Sequence, residues 1–112
     1  MRHLAALTVA LTILSAGTVR AEDPPVFRLE LKDHLFSPAE ITVPSGKRLI
    51  LMVHNGDATP AEFESSTLNV EKVISPGREA TVRLGPLEPG RYPFVDEFNQ
   101  ALAHGVLIAK PE

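Results

Sequence analysis

The chain has 112 residues, 44% of them hydrophobic, with 11 Lys and Arg against 14 Asp and Glu and a formal net charge of −3. That balance argues against nucleic acid and anionic membrane as partners and favours cations or a basic protein surface. Cysteine is absent, which excludes a blue-copper thiolate, an iron–sulfur cluster and a thiol nucleophile, and leaves stability to the core alone.

Arg2 and His3 precede an uncharged run over residues 4–16, and Val19-Arg20-Ala21 places small residues where a signal peptidase reads. Residues 1–21 are therefore expected to form a cleavable export signal, with residues 22–112 as one domain. The run is shorter than the roughly 20 apolar residues a membrane helix needs, so no stable membrane insertion is expected. Loss of Arg2 and Arg20 leaves nine basic against 14 acidic side chains, a formal charge of −5.

After Pro24-Pro25, Phe27, Leu29 and Leu31 alternate with Val26, Arg28 and Glu30, the period of a half-buried strand. A second strand is expected over 36–43, with Pro38 marking an edge or bulge and Pro44-Ser45-Gly46 closing it. Residues 47–54 contain Leu49-Ile50-Leu51-Met52-Val53, apolar on both faces as in a central strand, with Met52 expected in the core. Residues 58–76 show no helical period long enough for more than a turn, and Phe63, Leu68 and Val70 are the residues expected to pin them to the core. Ala80, Val82 and Leu84 alternate as another strand.

Tyr92, Phe94 and Asp96 fall on one face of the next strand, so Asp96 is expected at the edge of the core rather than in solvent. The chain must then loop before Gly105 restarts an apolar run, Val106-Leu107-Ile108-Ala109. A loop holding Asp, Glu, Asn and His between two core strands is a place to bind a cation. Six to eight short strands with turns every 8–12 residues and no long helix indicate an all-β, antiparallel Greek-key β-sandwich.

The frame Phe36-x-Pro38-x-x-Ile41-x-Val43-x-x-Gly46, then Leu87-x-Pro89-Gly90-x-Tyr92-x-Phe94, then Gly105-x-Leu107, resembles the cupredoxin superfamily across residues 22–112. Glu62-Phe63-Glu64-Ser65-x-x-Leu68-x-x-Glu71-Lys72 resembles the cysteine-free cupredoxins of bacterial iron uptake, the EfeO-type and FtrB-type proteins. The resemblance implies a metal site in which Glu62 stands near the first histidine, Asp96 at the cysteine, Asn99 at the second histidine and His104 at the methionine, with Glu64 and Glu71 as further ligands. Such oxygen-rich donors favour Fe, Mn, Zn or Cu(II) over Cu(I).

The same resemblance implies a periplasmic protein of a ferrous-iron transport system. It would bind iron or copper, accept an electron from Fe(II) or pass the metal on, and meet an iron permease and a periplasmic iron-binding partner. Two other readings stay open: non-redox metal delivery or sequestration, and a metal-free adaptor whose acidic loops face a basic partner. No hydrolytic motif is present, so enzymatic action would extend at most to assisting Fe(II) oxidation. Glu62 and Glu64 also have a bland reading as a solvated face, Glu71 as the partner of Lys72 or Arg78, and His34 and His54 as hydrogen-bonded edge residues.

Overall fold

A computed structural model of the chain describes His3, residues 5–14, Gly17 and residues 22–112. Residues 5–14 have no regular secondary structure, and Leu7, Leu11 and Leu14 stand exposed. The cleavage point expected after Ala21, with residues 18–21, lies outside the described residues. Among those described, no helix is long and apolar enough to cross a membrane.

Nine strands follow, β1 (Val26–Lys32), β2 (Leu35–Ser37), β3 (Glu40–Pro44), β4 (Leu49–Asn55), β5 (Ala61–Ser65), β6 (Val70–Ile74), β7 (Glu79–Leu84), β8 (Gly90–Asp96) and β9 (His104–Lys110), with one 3-10 turn at Glu97–Asn99. They form two sheets in the orders β2-β1-β4-β7 and β3-β9-β8-β5-β6. The all-β sandwich is as expected. β1 and β4, and likewise β3 and β9, run parallel, so its sheets are mixed rather than wholly antiparallel.

The inward rows of both sheets carry the apolar residues. Leu29, Leu31, Leu49, Leu51, Val53 and Val82 face Val43, Phe63, Phe94 and Leu107, all almost fully buried. Near one end of the sandwich Phe36, Phe63 and Phe94 pack together, with ring centroids 5.0, 5.2 and 6.2 Å apart. Edge-to-face and tilted contacts of this kind add to area burial.

Three sequence expectations change. The single strand over 36–43 is two strands in different sheets, because the chain crosses the sandwich at Ser37-Pro38. Residues 58–76 form a hairpin, β5 with β6, in which Ala61, Phe63 and Ser65 point inward and Glu62 and Glu64 outward. Met52 is half-buried on the outer face of β4, where its sulfur accepts the Thr81 hydroxyl at 3.5 Å, and is no core residue.

Candidate metal centre

The end of the sandwich that carries the Asp96 loop is closed by polar side chains bonded to backbone. Asn55 is fully buried at the end of β4. Its amide donates to the carbonyls of Thr59 at 2.8 Å and Ile74 at 3.0 Å, and its oxygen accepts the N–H of Asp57. That amide ties the β4–β5 loop to the end of β6. It delivers the chain into β5 with Glu62 beside the β8–β9 loop.

Asp96 is 1% exposed, inward-facing as the alternation predicts. Its Oδ1 accepts the backbone N–H of Glu62 at 2.9 Å and of Phe98 at 3.1 Å, and its Oδ2 accepts the Asn99 amide at 3.1 Å. It caps the 3-10 turn and fastens it to β5. Asp96 N–H to Ala103 O at 2.9 Å closes the loop, and Ala103 fills the space beneath it, fully buried.

Register fixes the outer face of the same sheet. Glu71 on β6 lies opposite Glu64 on β5, Glu64 opposite Val95 on β8, and Val95 opposite His104 on β9. Like charges directly across a strand pair repel. The Glu62 carboxyl lies against that of Glu71 and is held above the ordinary carboxylate range, first by that shared hydrogen bond, then by desolvation and by the charges of Glu71, Glu97 and Asp96. The Glu64 carboxyl shares a hydrogen bond with Glu97 of the 3-10 turn and is pushed up to about 7, with desolvation and the neighbouring carboxylates adding to the rise.

Glu62, Glu64 and Glu71 thus come together, joined by Glu97 of the 3-10 turn, a residue the sequence analysis did not single out. Asp96 and His104 stay apart from them. Asp96 points to the other side of the sheet, in register with Phe63. His104 is exposed two strands from Glu64, about 10 Å at the usual strand spacing. The expected meeting of Glu62, Asp96 and His104 around one ion is therefore replaced by two carboxyl pairs. Among the described residues no group of three or more His, Asp or Glu side chains converges as a metal centre.

The bland readings divide. Glu71 forms no salt bridge with Lys72 or Arg78 among the described residues, and Lys72 donates instead to Thr81 O at 2.6 Å. His54 is the bonded edge residue expected, its Nδ1 2.7 Å from Glu30 Oε2. His34 is not. Its Nδ1 is buried without a hydrogen bond, 3.5 Å from Asp57 Oδ2.

The profile of the cupredoxin-like domain family matches residues 3–109. The chain belongs to that family. It is 38% identical over 81 residues to an uncharacterized protein of Rickettsia prowazekii (strain Madrid E), a match covering 72% of this chain and 65% of that protein's length. The metal-binding domain of the Cu(I)-exporting P-type ATPase CopA of Streptococcus pneumoniae D39, solved with Cu(I), superposes with a TM-score of 0.70 at 18% identity, covering 81% of this chain and 91% of that one. Auracyanin A, a "blue" copper protein from Chloroflexus aurantiacus, gives 0.65 at 12% identity, covering 77% and 99%.

The fold is thus related to copper-binding proteins, but the donors here do not fit a blue-copper ion. No thiolate exists in the chain, and the one buried carboxylate of the loop is committed to three N–H donors.

Proposed function

We propose that this chain is an exported, cupredoxin-like metal-handling protein whose cargo is ferrous iron or a similar hard divalent cation, carried on carboxyl pairs, Glu62 with Glu71 or Glu64 with Glu97, rather than on one convergent set. The supporting observation is the strand register that sets Glu64 directly opposite Glu71, with the Glu62 and Glu64 carboxyls raised by their carboxyl neighbours Glu71 and Glu97, so that a proton takes the place a cation would fill. A divalent ion would displace that proton and keep several waters, as hard cations do on one or two carboxylates. Such binding is weak and exchangeable, in keeping with delivery to a membrane permease rather than with a resident redox centre.

Anaerobic calorimetric titration with Fe(II), with Mn(II) and Zn(II) beside it, tests this. The expected result is saturable binding near 10⁻⁴ M, as an order of magnitude for sparse oxygen sites. It should be lost in the double variant Glu64→Gln with Glu71→Gln, with iron remaining Fe(II) by Mössbauer spectroscopy. Affinity untouched by those substitutions refutes the site, and oxidation of bound iron without oxygen refutes the non-redox reading.

A second reading rests on Phe98 and Leu102, 52% and 57% exposed on the loop beside this acidic face. Apolar side chains next to carboxylates suit an adaptor docking a basic partner. That reading requires thermal stability to be indifferent to added Fe, Mn or Zn, because a ligand of the folded state alone must raise it.

A further inference from the structure

The opposite end of the sandwich carries a groove of different chemistry. β4 is seven residues long, so about 20 Å separates its Asn55 end from its start. There Arg48, Ile50, Arg83, Pro24 and Pro86 border a depression of about 320 Å³. Ile50 and Arg83 are register partners on the outer face of the first sheet, and Arg48 enters from the residue before β4.

Neither arginine forms a salt bridge among the described residues, whereas Arg28 is paired with Glu79 and Lys47 with Glu112. Glu22 and Asp23 border the adjoining depression with Arg48 but do not bridge to it either. Two arginines lining one partly apolar groove, in a chain of net negative charge, form a local positive patch.

We propose that this groove binds a small organic carboxylate with a short apolar body. A guanidinium offers a planar fork matched to a carboxylate, which an ammonium does not. Ile50, Pro24 and Pro86 supply apolar contact for the body, and the volume sits at the small end of ligand pockets. The site is independent of the acidic face and of any metal.

Amide-resolved NMR titration of the full chain with octanoate, octanol and acetate at fixed ionic strength tests it. Octanoate should saturably shift the amides of Ile50, Arg83 and Leu84. Octanol, lacking the charge, and acetate, lacking the body, should each bind about tenfold more weakly. Arg48→Gln and Arg83→Gln should each weaken octanoate about tenfold, and together abolish it. Both side chains are exposed, so an unchanged melting temperature will confirm that the variants fold.

Octanol binding as tightly as octanoate, octanoate affinity unchanged in either variant, or shifts that do not saturate would each overturn the proposal. So would self-association that Arg83→Gln abolishes without any octanoate binding. That outcome assigns the groove to the acidic face of a second copy.

Discussion

The Oδ1 of Asp96 lies 2.9 Å from the backbone nitrogen of Glu62, so the carboxylate in the last loop holds the strand that carries the acidic face. With Phe98 N–H and the Asn99 amide it has three donors and almost no contact with water. Asp96→Ala strands those donors and removes a cap, and is expected to cost about 2–4 kcal/mol in urea unfolding of the metal-free protein. Asp96→Asn keeps an accepting oxygen for both backbone N–H groups and should cost about 1 kcal/mol. An Asp96 held ready for a metal would instead be an uncompensated buried charge, and its removal would stabilise the metal-free chain.

Acidification should stabilise the protein over a defined window. Glu64, through its hydrogen bond with Glu97, is held at about 7 against an ordinary 4.5. Between those values the folded chain keeps a proton that the unfolded chain has released, so stability falls as pH rises from about 4.5 to 7 and levels off above. Melting temperatures across pH 4.5–8 at low salt should show that fall. It should be shallower in Glu64→Gln, and shallower in high salt because the group is partly exposed. A slope identical in both proteins would remove Glu64 as its source.

Much of this fold was legible because alternation survives where one face is buried. β1, β7 and β8 announce themselves that way, β4 does so by a run apolar on both faces, and Asp96 inherits its inward direction from Tyr92 and Phe94. The break between β2 and β3 is legible in the spacing of its apolar residues. Phe36 and Ile41 are both buried yet five residues apart, an odd interval that one regular strand cannot place on a single face. The β5–β6 hairpin was obscured because the inward residues of β5 are Ala61, Phe63 and Ser65, with only one large apolar side chain among them, and β6 buries only Ile74. Ser65 is accommodated by donating to Pro93 O at 2.7 Å and accepting Leu68 N–H at 3.2 Å. The contact of Glu64 with Glu97 depends on a 3-10 turn that no periodicity encodes.

Asn55 gives a sharper test of how the loop end is built. Both of its amide hydrogens go to carbonyls, and its oxygen accepts Asp57 N–H at 3.0 Å. Asn55→Ala should cost about 2–4 kcal/mol by leaving buried groups unpaired. Asn55→Asp has nearly the same shape but turns acceptors toward Thr59 O and Ile74 O. It should be more destabilising at pH 7 than at pH 4, where a protonated acid regains one donor. Equal losses at both pH values would show that the carbonyl contacts contribute little.

Gly105 marks where β9 passes closest to its neighbours. A Cβ there would lie 2.6 Å from Ala39 O and 2.6 Å from the Phe94 ring. The carbonyl cannot retreat freely, since it accepts Val106 N–H at 2.9 Å and holds β3 to β9. The ring is wedged between Phe36 and Phe63. Gly105→Ala should therefore cost about 1–3 kcal/mol as overpacking, although a strand ordinarily prefers alanine to glycine. Phe94→Leu in the same chain relieves the ring contact and leaves the carbonyl contact. The double variant should thus lose less stability than the two single losses added, with a coupling of at least about 0.5 kcal/mol. Simple additivity would place the strain of Gly105→Ala at Ala39 O alone.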